Sequence, residues 1–377
     1  MRTCEVLCDA KLHAQKRTRK TCVRYGDLLG HFSTLHSPTI SLSPSPIGLG
    51  CWQLGADWGA PLAEDTARDI LTAALDGVTT HAPGPLPQAF VDTADVYGDG
   101  RSERLIGDFL AERGREGITV ATKFGRAGGV YPDGYTRDAL RRAADASRER
   151  LRTDRLDLLQ LHCIPTAVLE RGEVFDWLRE LQAEGAIAAF GASVETIAEG
   201  HRCLEEDGLA SLQVLLSPLR QRALDTLVPA AAARDVIMIA RVPLASGLLA
   251  GKFDAETTFP ASDHRHYNRD GAAFNVGETF GGLPFRKGVA LAETLEGQVL
   301  AKARQALDAP TLTLAQLSLL WLTCQPGVTT VIPGASTPQQ ARDNAAVMGM
   351  GTLPQNLQDA IRDFYRAEVD EHVRGPY

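Results

Sequence analysis

From Ile47 onward, short apolar runs of strand character alternate with longer segments of helical period, a pattern that few architectures accept. Strands joined by helical crossovers run parallel, and a parallel sheet must be covered on both faces or closed on itself. The strand candidates are Ile47–Leu54, Phe90–Ala94, Ile118–Phe124, Leu156–His162, Ile187–Ser193, Leu212–Ser217, Val236–Pro243 and Thr329–Pro333. Eight such strands suit a closed ring, so an α/β protein is predicted, a single (β/α)8 TIM barrel over residues 47–377. A polar, glycine-bearing segment, residues 253–297, reads as a long loop insertion after strand seven that overhangs the site as a lid.

The intervening segments carry helix signals. Leu105, Ile106, Phe109 and Leu110 form one apolar face after Ser102, which is expected to be the N-cap. Val174, Trp177, Leu178 and Leu181 repeat that spacing before Gly185, a C′ residue. Thr337, Pro338 and Gln340 read as N-cap, N1 proline and capping-box partner of a last helix. A doubly wound sheet is the rival architecture. The Gly48-Leu49-Gly50 run does not support it, because the third glycine comes at Gly55 and no helix opens at Cys51-Trp52-Gln53.

Composition narrows the function. The chain is 44% hydrophobic and 23% charged with a net charge of −8, which argues against nucleic acid or an anionic membrane surface as its main partner. Its most apolar stretch, Leu312–Cys324, is interrupted by Thr313, Gln316, Ser318 and Thr323 and is too short to span a bilayer. The cysteines, Cys4, Cys8, Cys22, Cys51, Cys163, Cys203 and Cys324, form no spaced framework and read as reduced thiols of a cytoplasmic protein. Residues 1–46 read as an atypical N-terminal extension without fixed order, basic at Lys16, Arg17, Arg19 and Lys20 and lacking the apolar run of a secretory signal. Cys4, Cys8, Cys22 and His13 lack paired zinc-ligand spacing, and Asp263-His264-Arg265-His266 reads as loop, so no metal is expected.

In a parallel barrel, reactive groups gather at the C-terminal ends of the strands. Asp92 and Tyr97 lie where one apolar strand breaks into a loop, Lys123 ends Ile118-Thr-Val-Ala-Thr, and His162 ends Leu158-Leu-Gln-Leu. Singly, each has an ordinary structural reading as a cap, a half-buried aromatic or a strand-end solubiliser. Together they make a proton donor. An ammonium beside a phenol favours phenolate and lowers its pKa from about 10, a carboxylate keeps the ammonium charged, and an imidazole can hold a carbonyl oxygen. This is machinery for carbonyl reduction, and the hydride must come from a cofactor.

At this point the chain resembles the aldo-keto reductases, from Ile47 to about Gly351. The resemblance rests on Gly48-Leu-Gly, Asp92-Thr-Ala-Asp-Val-Tyr-Gly with Arg101-Ser-Glu, Ala121-Thr-Lys, Leu159-Gln-Leu-His, Phe190-Gly-Ala-Ser, Pro243-Leu-Ala-Ser-Gly-Leu-Leu-Ala-Gly-Lys, and Ile332-Pro-Gly-Ala-Ser through Asn344. It implies a nicotinamide cofactor bound without a Rossmann domain, and a catalytic tetrad of Asp92, Tyr97, Lys123 and His162. It further implies that Ser193 and Gln213 hold the carboxamide and that Ser246, Leu248, Gly251 and Lys252 cradle the pyrophosphate, with Pro243 and Leu244 in the same cofactor-binding segment. Gly334, Ser336, Gln340, Asp343 and Asn344 resemble the adenosine site at the start of the final helix, where a helix N-terminus would favour a 2′-phosphate. The implied cofactor is therefore NADPH, with NADH as the lesser choice, and the implied substrate a small aldehyde or ketone. The oligomeric state is not encoded in any motif. A nicotinamide-binding regulatory or redox-sensing subunit, resembling channel β-subunits, is the alternative function, and a cofactor-free barrel lyase or hydrolase a more distant one.

Several departures from that family pattern stand out. Val194 follows Ser193 where an asparagine is usual, and Arg241 occupies a position where many members stack an aromatic ring on the nicotinamide. A guanidinium there adds positive charge and is expected to disfavour the oxidised cofactor. Thr80 to Ala89 is an extra segment before strand two, on the face opposite the chemistry. Trp52, Tyr131 and Phe285 are candidates for the apolar lining of the substrate pocket.

Overall fold

The computed structural model describes residues 42–55, 62–82 and 87–377. Eight parallel strands lie in chain order: β1 (Leu49–Gly50), β2 (Ala89–Asp92), β3 (Ile118–Phe124), β4 (Leu156–His162), β5 (Ile187–Ser193), β6 (Leu209–Leu215), β7 (Ile237–Arg241) and β8 (Thr330–Val331). The ring closes where Gly48 N donates to Val331 O at 2.9 Å and Gly50 N to Pro333 O at 3.0 Å. These glycines serve close approach: a Cβ on Gly48 would stand 2.8 Å from Phe90 O, and one on Gly50 2.9 Å from Ile332 O. β3, β4 and β5 have the predicted bounds, whereas β1 is cut short because Trp52–Gly55 winds into a 3-10 turn.

The helices Glu64–His81, Arg101–Arg113, Arg137–Leu151, Glu173–Ala183, Ile197–Leu204, Leu227–Ala232, Leu314–Thr323 and Pro338–Ala346 alternate with the strands. The segment Thr80 to Ala89 is partly helix and partly β2, since the first helix runs to His81; residues 83–86 lie outside the described residues. Ser102 is not an N-cap. The helix starts at Arg101 behind Gly100, while the buried Ser102 hydroxyl donates to Cys51 O at 3.1 Å and accepts from Thr93 Oγ1 at 2.8 Å. Long-range partners have outbid the local cap. Thr337 does cap its helix through Gln340 N at 3.2 Å, but Gln340 Oε1 accepts from Ser336 N rather than from Thr337.

Between β7 and the helix Leu314–Thr323 the chain makes short 3-10 turns, then a helix over Phe285–Leu295 that continues through a π-wound turn to Ala306. The C-terminal part of the expected lid, from Phe285 on, is thus helix. Phe285 faces away from the cleft, packing against Phe280 (ring centroids 4.9 Å) and Phe259 (5.4 Å).

Inside the ring, parity sorts the residues. Phe90, Ala121, Leu158, Ala189, Ile239 and Ile332 form an apolar layer, and two positions further along their strands come Asp92, Lys123, Gln160 and Arg241. A strand alternates faces with period two, so these residues share the inner face with the apolar layer and form a polar tier nearer the C-terminal mouth. The larger core lies between sheet and helices. Among the described residues no helix is long and apolar enough to cross a membrane. Cys51, Cys163, Cys203 and Cys324 are free thiols. The expectations for residues 1–41, the cysteines there included, lie outside the described residues, and Ser45 N already donates to Gln88 O at 2.8 Å.

Candidate active site

The polar tier brings the four strand-end residues together. Lys123 Nζ donates to Asp92 Oδ2 at 2.6 Å, to Thr93 O at 2.7 Å and to Tyr97 OH at 3.4 Å. His162 stands edge-on to the Tyr97 ring, centroids 5.9 Å apart, and Trp52 stacks on the same ring at 6.1 Å. Asp92 also accepts from Gln213 Nε2 at 2.7 Å and from Gln160 Nε2 at 3.3 Å. Those three donors fix the carboxylate, and Lys123 is only 1% exposed. A buried pair of this kind costs several kcal/mol per ion to desolvate and persists only when its remaining lone pairs and protons are satisfied.

Electrostatics then sets the protonation states. Burial pushes the Tyr97 phenol up to about 12, against the lowering pull of Lys123. Lys123 lowers this pKa as expected, but desolvation is the larger effect, and the phenol keeps its proton at neutral pH. Burial, with Arg126, Lys123 and Arg241 adding to it, holds His162 well below its ordinary value, so the ring is neutral. Burial works against the Lys123 ammonium, but Asp92 and Tyr97 raise its pKa overall.

Asp95, two residues before Tyr97, is pushed up to about 7 by burial and by the neighbouring Glu103. With its folded pKa above its unfolded one, this carboxyl contributes stability below about pH 4 that is lost as pH rises through 7. Asp95→Asn, which can still accept from Val96 N, should therefore stabilise the protein more at pH 8 than at pH 5, by on the order of 1–2 kcal/mol in urea unfolding. An equal gain at both pH values would show that Asp95 does not titrate there.

A cleft of about 480 Å³ opens over the tetrad. Of the predicted residues, Asp92, Tyr97, His162, Ser193, Gln213, Arg241, Pro243, Leu244, Ser246 and Gly334 line it, as do Trp52 and Tyr131. Lys123 sits behind Tyr97 and Asp92. Leu248 is buried and faces the helix at Gly288, while Gly251 and Lys252 are exposed beyond the cleft. Ser336 precedes the Thr337 cap of the helix Pro338–Ala346, Gln340 lies in its first turn and Asp343 and Asn344 further along it; Asn344 Nδ2 donates to Gly334 O at 3.4 Å. Gln213 is partly committed, to Asp92 and, through its Oε1, to Ser193 Oγ at 3.1 Å. Ser246 is pinned as well, donating to Glu278 O and accepting from Phe280 N.

Among the described residues, two buried cleft atoms, His162 Nδ1 and Arg241 Nε, have no hydrogen-bond partner. An orphaned guanidinium N–H costs about 1–3 kcal/mol, which an acceptor on a bound ligand would recover. With the Ser193 and Gln213 groups beside it, this donor set fits a nicotinamide carboxamide.

The sequence reading missed a charge network along one wall. Arg126 NH2 pairs with Glu195 Oε1 at 2.6 Å and with Glu278 Oε1 at 3.1 Å, and Arg241 NH1 reaches the same Glu278 oxygen at 3.2 Å. Burial opposes ionisation of Glu278, but Arg126 and Arg241 together hold its pKa below the ordinary value. The positive charge that Arg241 was expected to add is present but offset by this carboxylate. Cys163, Glu195 and Glu278 cluster as metal ligands might, yet both glutamates are committed to guanidinium groups. Asp263, in turn, accepts from Arg265 Nε and NH2, and His264 packs on Trp52 at 4.7 Å. Arg126 and Glu195 sit just past strand-end residues and were findable by that rule. Glu278 was not, because its segment has no periodicity.

Glu278 is held from several sides. Arg220 NH1 donates to Gly281 O at 3.0 Å and its NH2 to Pro376 O at 2.7 Å, and Arg374 Nε donates to Gly282 O at 3.0 Å.

The sequence profile described as the aldo/keto reductase family matches residues 46–366. An uncharacterised oxidoreductase of Mycobacterium tuberculosis is 33% identical over 86% of this chain and 90% of its own length. The NADH-specific methylglyoxal reductase of Escherichia coli is 27% identical over 85% of this chain and 94% of its own. Among solved structures, a glycerol dehydrogenase from Gluconobacter oxydans superposes with a TM-score of 0.67 at 26% identity, over 90% of this chain and 96% of the other. The barrel, the clustered strand-end residues and these matches agree: the chain belongs to the aldo/keto reductase family and is an NAD(P)H-dependent oxidoreductase.

Proposed function

We propose that the protein reduces a small aldehyde or ketone to the alcohol with NADPH, Tyr97 acting as general acid. The observation that carries this is the Tyr97 hydroxyl 3.4 Å from an ammonium that is itself locked 2.6 Å from Asp92. Bound reduced nicotinamide supplies the hydride. Tyr97, protonated at neutral pH, holds the proton that the carbonyl oxygen must receive. The neutral His162 has its Nδ1 buried without a partner, which favours the tautomer that carries the ring proton on Nε2 and presents it to the cleft. A hydrogen bond from there orients the carbonyl as negative charge develops. Lys123 makes the phenol a better acid, and Asp92 keeps Lys123 charged and aimed.

The first turns of the helix Pro338–Ala346 supply the dipolar setting that a 2′-phosphate prefers. That supports NADPH over NADH, although the Escherichia coli relative is named for NADH. The test is oxidation of NADPH and of NADH by the purified protein with a panel of small aldehydes. Turnover with a lower KM for NADPH is expected. Tight cofactor binding without turnover of any carbonyl would overturn this reading in favour of a regulatory subunit.

A further inference from the structure

We propose that Glu278 is the residue that sets the protein's preference between oxidised and reduced nicotinamide, by balancing the two guanidinium groups on the cleft wall. The inference rests on the proposed function insofar as the nicotinamide ring occupies this cleft. Arg241 NH2 lies 3.2 Å from Val194 O and 3.5 Å from Cys163 Sγ, the residues that follow Ser193 and His162, so its charge is adjacent to the reacting positions. Oxidised nicotinamide carries a positive ring charge and reduced nicotinamide does not, so the net charge of the wall bears on one form and hardly on the other.

That wall contains Glu195, Arg126, Glu278 and Arg241, two charges of each sign, connected in that order by ion pairs. Glu278 and Arg241 are 6% and 8% exposed, so water screens them poorly. One carboxylate oxygen of Glu278 serves both arginines, which makes the balance depend on this residue more than on any other. A tie needed only for packing would be met by one pair. Here a second arginine is brought into the cleft, and a carboxylate is delivered against it from the segment anchored by Ser246, Arg220 and Arg374.

The test measures dissociation constants of NADP+ and NADPH, by calorimetry or by fluorescence, for the wild-type protein and three variants. Glu278→Gln leaves the wall with one excess positive charge and should raise the ratio Kd(NADP+)/Kd(NADPH) about tenfold. Arg126→Met leaves one excess negative charge and should lower that ratio, and the double variant should return toward wild type. Should the buried substitutions fail to fold, the more exposed Glu195→Gln changes the wall by the same sign as Glu278→Gln and should raise the ratio by a smaller factor. Variants that move both constants equally overturn the inference while leaving the proposed reaction standing. A wild-type protein that binds neither nucleotide overturns both.

Discussion

Tyr97→Phe is expected to lower the rate of carbonyl reduction by about 10²- to 10⁴-fold, the range over which a positioned general acid contributes, while leaving the dissociation constant for NADPH unchanged. Phenylalanine keeps the ring that stacks on Trp52 and meets His162 edge-on, so only the hydroxyl is lost. The remaining partners of Lys123, Asp92 and Thr93, are untouched, and the fold should melt at nearly the wild-type temperature. Single-turnover kinetics with NADPH and an aldehyde, set beside a cofactor titration, checks this. A variant with near-normal turnover would remove Tyr97 from the role of acid.

The second large effect is on stability. Asp92→Ala strands the Lys123 ammonium in the barrel interior with a carbonyl and a phenol as its remaining partners, and also deprives Gln213 and Gln160 of their acceptor. Breaking a buried ion pair from one side costs about 3–5 kcal/mol, which should appear as a lower urea midpoint with an unchanged slope. Removing both charges, as in Asp92→Asn with Lys123→Met, should recover much of that stability and none of the activity. If Asp92→Ala unfolds at the wild-type midpoint, the pair is not the keystone of the polar tier.

The fold was legible in the sequence because a parallel barrel writes itself twice, in the apolar runs and in the helical stretches between them. Three strands have the bounds their apolar residues suggested, and β1 ends early because Trp52–Gly55 leaves the sheet for a 3-10 turn. The tetrad was legible for a related reason: Asp92, Lys123 and His162 all fall at strand C-terminal ends, where the topology has to bring them together. What stayed hidden was set by distant partners. Ser102 has the chemistry of a cap but finds Cys51 and Thr93 first. Phe285 has the chemistry of a pocket lining but finds other phenylalanines. Glu278 lies in a segment whose course is dictated by anchors far away in the chain, and no local pattern announces it.

Those anchors carry a consequence of their own. Arg374 grips the Gly282 carbonyl, and Arg220 divides its donors between Gly281 and Pro376. Residues 374–376 therefore work as a latch on the stretch that delivers a carboxylate to the reaction chamber. An allele altered at Arg374, remote from every reacting group, would leave the barrel standing and still register as a change in nucleotide selectivity.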